Sequence, residues 1–188
     1  MSAARKALRP ELSRTVPVAD VGEAPLEVTV VADEGERKAL ARRFGLIAIE
    51  SLSGAVTVER TEARDGSGPV IRVTLGFAAK VTQRCVVSLE PVEAAVSEQG
   101  LVVEFALDLE AGPRPGEEVV LSLEDVEPPE PLPGDAIDVG ELLAQEVALA
   151  LDPYPRRPGA QTAAPVEGDT PRPNPFAALE RLKGPRRD

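Results

Sequence analysis

Residues 71–82 read IRVTLGFAAKVT, and their alternation decides the fold. Ile71, Val73, Leu75, Phe77, Ala79 and Val81 fall on one face, with Arg72, Thr74, Gly76, Ala78, Lys80 and Thr82 on the other. A period of two with one apolar face predicts an antiparallel strand packed on one side and solvated on the other. Cys85 continues the apolar register, which predicts a buried thiol acting as a small hydrophobe. Downstream, Leu101, Val103, Phe105 and Leu107 repeat the pattern after Gln99 and Gly100, and Val92, Ala94 and Val96 predict a further pairing segment between the two runs. Upstream, residues 46–52 and 55–60 predict strand, with Ser53 and Gly54 as a bend or bulge. Residues 61–69 (TEARDGSGP) are a polar tip whose turn is Asp65-Gly66.

Outward from this sheet the period changes. Residues 26–32 (LEVTVVA) predict a strand. Asp33 followed three residues on by Glu36 is a capping-box pattern, and it opens a helix over 34–44 with Leu40 and Phe44 on one face and Gly45 as its C′ residue. Residues 118–123 predict a last short strand with Val119, Leu121 and Leu123 inward. Residues 127–135 (EPPEPLPGD) carry four prolines and predict a stiff connector rather than helix or central strand. Residues 137–151 then predict a second helix. Asp138 and Glu141 form its capping-box pattern, Val139, Leu142, Leu143, Val147, Ala150 and Leu151 share a face, and Pro153 stops it at Asp152.

The flanks differ from this core. Residues 1–25 predict an extended basic arm bearing Arg5, Lys6, Arg9 and Arg14, with one edge pairing at 15–19. Residues 158–173 predict a disordered linker. Residues 174–188 predict a short amphipathic helix with a basic end: Asn174 caps, Pro175 takes the first helical position, and Phe176, Leu179 and Leu182 lie three apart. Such a helix is either a docking element for a partner or folds back onto its own domain. The expected architecture is α+β: one domain over 26–157, built as a strongly curved antiparallel sheet with two packed helices and a flexible C-terminal tail. A partly closed barrel is the variant.

Composition narrows the function. The 188 residues carry a net charge of −11 and no histidine. Broad nucleic-acid binding is disfavoured, because such affinity comes from Lys and Arg displacing counterions from phosphates. The acidic surplus is either a solubility device or a face for a basic protein. Without histidine there is no Ser-His-Asp or Cys-His arrangement and none of the commonest general base. Gly66-Ser67-Gly68 sits in a hairpin tip, not between a strand and a helix where a phosphate loop belongs. A single cysteine excludes an intramolecular disulfide and a cysteine-rich zinc site, and no spacing singles out a carboxylate pair. The reading is therefore a non-enzymatic binding module with no cofactor or metal. With no apolar run behind the N-terminal basic residues and no stretch of about 20 apolar residues, a soluble cytoplasmic location is expected. Candidate contact residues are Arg84, Tyr154, Arg156 and Arg157. The last three lie in PYPRRPG, whose prolines limit the entropy lost on binding. Their alternative is a tyrosine packed on the sheet beside solvated arginines.

Six segments, in order, resemble the YceD-like large ribosomal RNA subunit accumulation family. Residues 11–14 (ELSR) are similar to its E-F-S-R opening, and 83–92 (QRCVVSLEPV) to its cysteine segment. Then come 127–131 (EPPEP), 137–141 (IDVGE), 149–160 (LALDPYPRRPGA) and 174–179 (NPFAAL). The second and fifth look like the form found in alphaproteobacterial members. The resemblance implies a role in synthesis, processing or accumulation of large-subunit (23S) rRNA, by contact with rRNA or a basic ribosomal protein. The charge balance favours the protein. The alternative is an interaction module outside ribosome assembly. Some members carry a C-terminal cysteine cluster of zinc-binding type. This chain has only Cys85, so neither that metal nor paired-thiol chemistry carries over.

Overall fold

The computed structural model describes residues 10–107, 128–132 and 134–161. In chain order the elements are β1 (Thr15–Pro17), a 3-10 turn (Val18–Asp20), β2 (Leu26–Val31), α1 (Glu34–Phe44), β3 (Ala48–Glu62), β4 (Pro69–Arg84), β5 (Pro91–Ala106), β6 (Glu130–Pro131), β7 (Ala136–Asp138) and α2 (Val139–Leu149). Strands β2 to β5 form an antiparallel meander, and β6 adds in parallel to the end of β5. β1 and β7 make a separate antiparallel ribbon. The fold is α+β, and among the described residues the five-stranded sheet stays open, so the barrel variant does not form.

The decisive alternation behaves as its period requires. Ile71, Val73, Leu75, Phe77, Ala79 and Val81 are all at most 3% exposed. Opposite them on β3, Ile49, Leu52, Val56 and Val58 are also buried, and α2 adds Val139, Leu143, Ala144 and Val147 to the same core. The basic N-terminal segment is drawn in as well. Leu12, Val16 and Val21 are core residues, and the expected edge pairing is realised by β1 against β7.

Two local expectations are corrected, and a third cannot be compared. β3 runs straight through Ser53 and Gly54, and its bulge lies between Ile49 and Ser51, at Glu50. Gly54 serves packing instead: a Cβ there would lie 2.0 Å from Leu143 Cδ1 and 2.9 Å from the Gly76 carbonyl oxygen. The two runs after Cys85 are one strand, β5, bulged where Gln99 and Gly100 oppose Gly76. Gly100 supplies the left-handed backbone (φ 69°) that such a bulge needs. The strand predicted over 118–123 lies outside the described residues.

The helix ends explain how the elements lock. α1 has the full capping box: Asp33 Oδ1 accepts from the Glu36 N–H at 2.8 Å, and Glu36 accepts from the Asp33 N–H at 2.8 Å. Gly45 closes it at φ 69°. α2 does not reciprocate. Asp138 accepts from the Gly140 and Glu141 N–H groups, but Glu141 is committed to Arg43 at 2.6 Å, which also reaches Glu11 at 3.0 Å. The capping carboxylate additionally accepts from Ser13 Oγ and the Arg14 N–H. Gly140 permits this approach, since a Cβ there would sit 2.8 Å from Arg14 N and 3.0 Å from the Leu12 carbonyl oxygen. The helix runs from Val139 to Leu149, within the predicted 137–151, with Asp138 as its N-cap as expected and Ile137 and Asp138 also paired in β7.

Candidate interaction surface

At the end of β4 the chain turns through residues 85–90 before β5 begins. The turn is closed by Cys85 N–H to the Glu90 carbonyl at 2.8 Å and Leu89 N–H to the Cys85 carbonyl at 3.0 Å. Leu89 adopts φ 63°, an uncommon conformation for a non-glycine residue. Beyond α2, Pro153 prevents further helix, and Asp152 Oδ1 caps a local turn by accepting from the Tyr154 N–H at 2.8 Å.

These two segments, remote in sequence, meet. Val86 N–H donates to the Pro155 carbonyl at 2.9 Å, and Gln83 Nε2 donates to the Asp152 carbonyl at 2.9 Å. The centre of the junction is Cys85, whose Sγ accepts from the N–H groups of Val87, Ser88 and Arg157 at 3.4, 3.3 and 3.4 Å. The thiol is fully shielded, as its register predicts. It also does what a small hydrophobe does not, which is to satisfy three backbone donors. Those donors favour the thiolate, with Arg157 N–H foremost and Ser88 next. They outweigh the upward push of burial and lower the Cys85 pKa from 9.0 to about 6.

A pH dependence follows. Because the folded pKa lies below the unfolded one, the contribution of Cys85 to stability is fully present above pH 9.0 and is lost as pH falls through about 6. Urea midpoints of the native protein are expected to rise across that window, while Cys85→Ala shows a flatter profile. Ultraviolet thiolate absorbance followed in the same window provides the direct reading, and a thiol that titrates as in a free peptide would refute the assignment.

The candidate contact residues are brought to one edge but differ in availability. Tyr154 is 71% exposed, which removes the alternative of a tyrosine packed on the sheet. Arg84 and Arg156 are exposed and have no hydrogen-bond or ion-pair partner among the described residues. Arg157 is different: its guanidinium meets Glu90 at 2.5 Å, so much of its charge is answered within the edge. Both members of that pair are half exposed, and solvent screens it.

Beside the edge lies a groove of about 510 Å³ between the C-terminal ends of α1 and α2, with Phe44, Leu46, Val86, Leu149, Leu151 and Pro155 among its walls. Leu149 is 79% and Val86 46% exposed. Neither residue was among the sequence-based candidates. Leu149 falls off the apolar face of α2, and Val86 breaks the alternation after Cys85, and these were the available signals. Phe176, Leu179 and Leu182, the candidate docking residues, lie outside the described residues. No described helix is long and apolar enough to cross a membrane.

An open α+β sheet with one exposed tyrosine, two uncommitted arginines and bare aliphatic side chains on a single edge has the make-up of a small protein with an interface-type surface. The family model described as large ribosomal RNA subunit accumulation protein YceD matches residues 73–183, more than half of the chain, and the chain belongs to that family. Its role is in accumulation of the large ribosomal RNA subunit, and the family is described by that role and not by a catalysed reaction. No curated protein and no solved structure matches the chain.

Proposed function

We propose that the protein supports accumulation of large-subunit rRNA without catalysis, in the cytoplasm, by contacting a protein of the assembling subunit through the edge that carries Arg84, Tyr154 and Arg156. The exposed Tyr154 carries this reading. A largely solvated tyrosine flanked by uncommitted arginines and aliphatic side chains is the composition of a protein-interface core, whereas a phosphate track needs a run of cations. Arg157 is paired with Glu90, and the chain is acidic overall. Few counterions would be released on RNA. The acidic body suits a basic ribosomal protein, which it would draw in by long-range attraction while the edge makes the close contacts.

The test replaces the chromosomal gene with the Arg84→Ala, Tyr154→Ala, Arg156→Ala triple variant. All three side chains are exposed, so thermal stability is expected to stay within about 0.5 kcal/mol of the parent. Large-subunit rRNA is expected to fall towards its level in depleted cells, and a ribosomal protein is expected to disappear from the affinity-purified material. Normal rRNA with unchanged co-purification would overturn the reading. Loss of bound rRNA alone, with a salt dependence of binding that weakens in the variant, would replace the protein partner by RNA.

A further inference from the structure

We propose that the groove between the ends of α1 and α2 is occupied by residues 174–183 of the same chain, with Phe176, Leu179 and Leu182 covering Leu149 and Val86. This goes beyond the contact reading and does not depend on it. A pocket of about 510 Å³ walled by Phe44, Leu46 and Leu151, with two bare aliphatic side chains at its rim, presents apolar area to water that burial would remove. The described chain passes along that groove at Pro155 and ends at Gln161. Twelve residues separate Gln161 from Asn174, a span of up to ~40 Å when extended, so reach is not limiting. A tether this short also gives an effective concentration in the millimolar range, which favours the chain's own segment over a free competitor.

Charge agrees. α2 has no basic residue in its last turn, which leaves the negative end of its dipole unanswered, and Asp152 lines the groove beside it. The segment carries Arg181 and Lys183, cations that can answer that end. The family match itself runs on to residue 183, through the whole of the proposed ligand.

The experiment uses the full-length protein with labelled Val and Leu methyl groups and Phe rings, free of RNA and partner proteins. Nuclear Overhauser contacts are expected between the Phe176 ring and the methyls of Leu149 and Val86, with intensities that do not change on about tenfold dilution. Leu149→Asp is expected to abolish them. As Leu149 is 79% exposed, the methyl shifts of Leu143 and Val73 should stay in place and report an intact core. Absence of the contacts overturns the proposal, as does their survival in Leu149→Asp. Contacts that fade on dilution would place a second copy's segment in the groove and overturn it equally. Because no partner is present, failure of the contact reading would leave this result untouched.

Discussion

Gly54→Ala is expected to destabilise the protein by about 3 kcal/mol in urea or thermal unfolding. Removing a glycine from a strand interior ordinarily helps, by roughly 0.5–1 kcal/mol, through the entropy of the unfolded chain. Here the added methyl would lie 2.0 Å from Leu143 Cδ1. Leu143 is fully buried among core side chains, and the second obstacle, the Gly76 carbonyl oxygen at 2.9 Å, is backbone. α2 must therefore lift from the sheet or the strand must shift, and either loses core contacts. Leu143→Ala alone should cost about 2–4 kcal/mol as a cavity. The double variant should cost less than the sum by about 1 kcal/mol or more, because the new methyl enters the space that the old side chain vacates. Strict additivity would show that the helix does not approach the strand as described.

Glu104→Gln is expected to cost about 3 kcal/mol at neutral pH. Glu104 lies on β5 opposite Arg72 of β4 and is 5% exposed. Its carboxylate accepts from Arg72 Nε at 2.8 Å and from the Arg64 N–H at 3.1 Å, with Arg64 Nε at 3.3 Å. The value sits at the low end for a buried ion pair, because the Arg64 and Arg72 side chains are 49% and 22% exposed and can be hydrated once the charge is gone. Burial pushes the Glu104 carboxyl up, but the Arg64 N–H, the Arg72 guanidinium and both positive charges together hold it below its ordinary 4.5. The folded pKa is thus the lower one. Its stabilisation is present above pH 4.5 and is lost as pH falls through the folded value. The gap between native and variant midpoints should be widest at neutral pH and shrink in acid. A gap that is constant with pH would mean that shape, not charge, is at work.

The strands and helices were legible in the sequence to the degree that their signals are local. Alternation at 71–82 and the Asp33–Glu36 pattern need only neighbouring residues, and both hold in the structure. Gly54 was misread because a local reading assigns glycine to backbone bending, whereas its cause is a helix about 90 residues away. Glu141 was misread for the same reason, since Arg43 outcompetes the helix terminus for its carboxylate. At the candidate surface, the burial of Cys85 followed from its register, whereas the exposure of Tyr154 was one of two readings that the sequence left open. The pairing of Arg157 with Glu90 and its N–H donation to Cys85 did not, because both partners come from the far side of the chain.

The β1–β7 ribbon has a consequence for the order in which the protein is built. Strands β3 to β5 follow one another as hairpins and β2 joins β3 through α1, so partners are close in sequence and can pair as soon as they exist. Thr15 pairs with Asp138, and Leu12 and Arg14 lie against Gly140. Residues 12–17 must therefore wait until residues 136–140 have been made. Closing a loop of this length carries an entropic cost that only the finished second helix repays. On the translating ribosome the meander is the early structure and the clasp the late one. The part of the sheet that packs on Leu143, Ala144 and Val147 stays uncovered until residues 139–149 emerge and the clasp fastens.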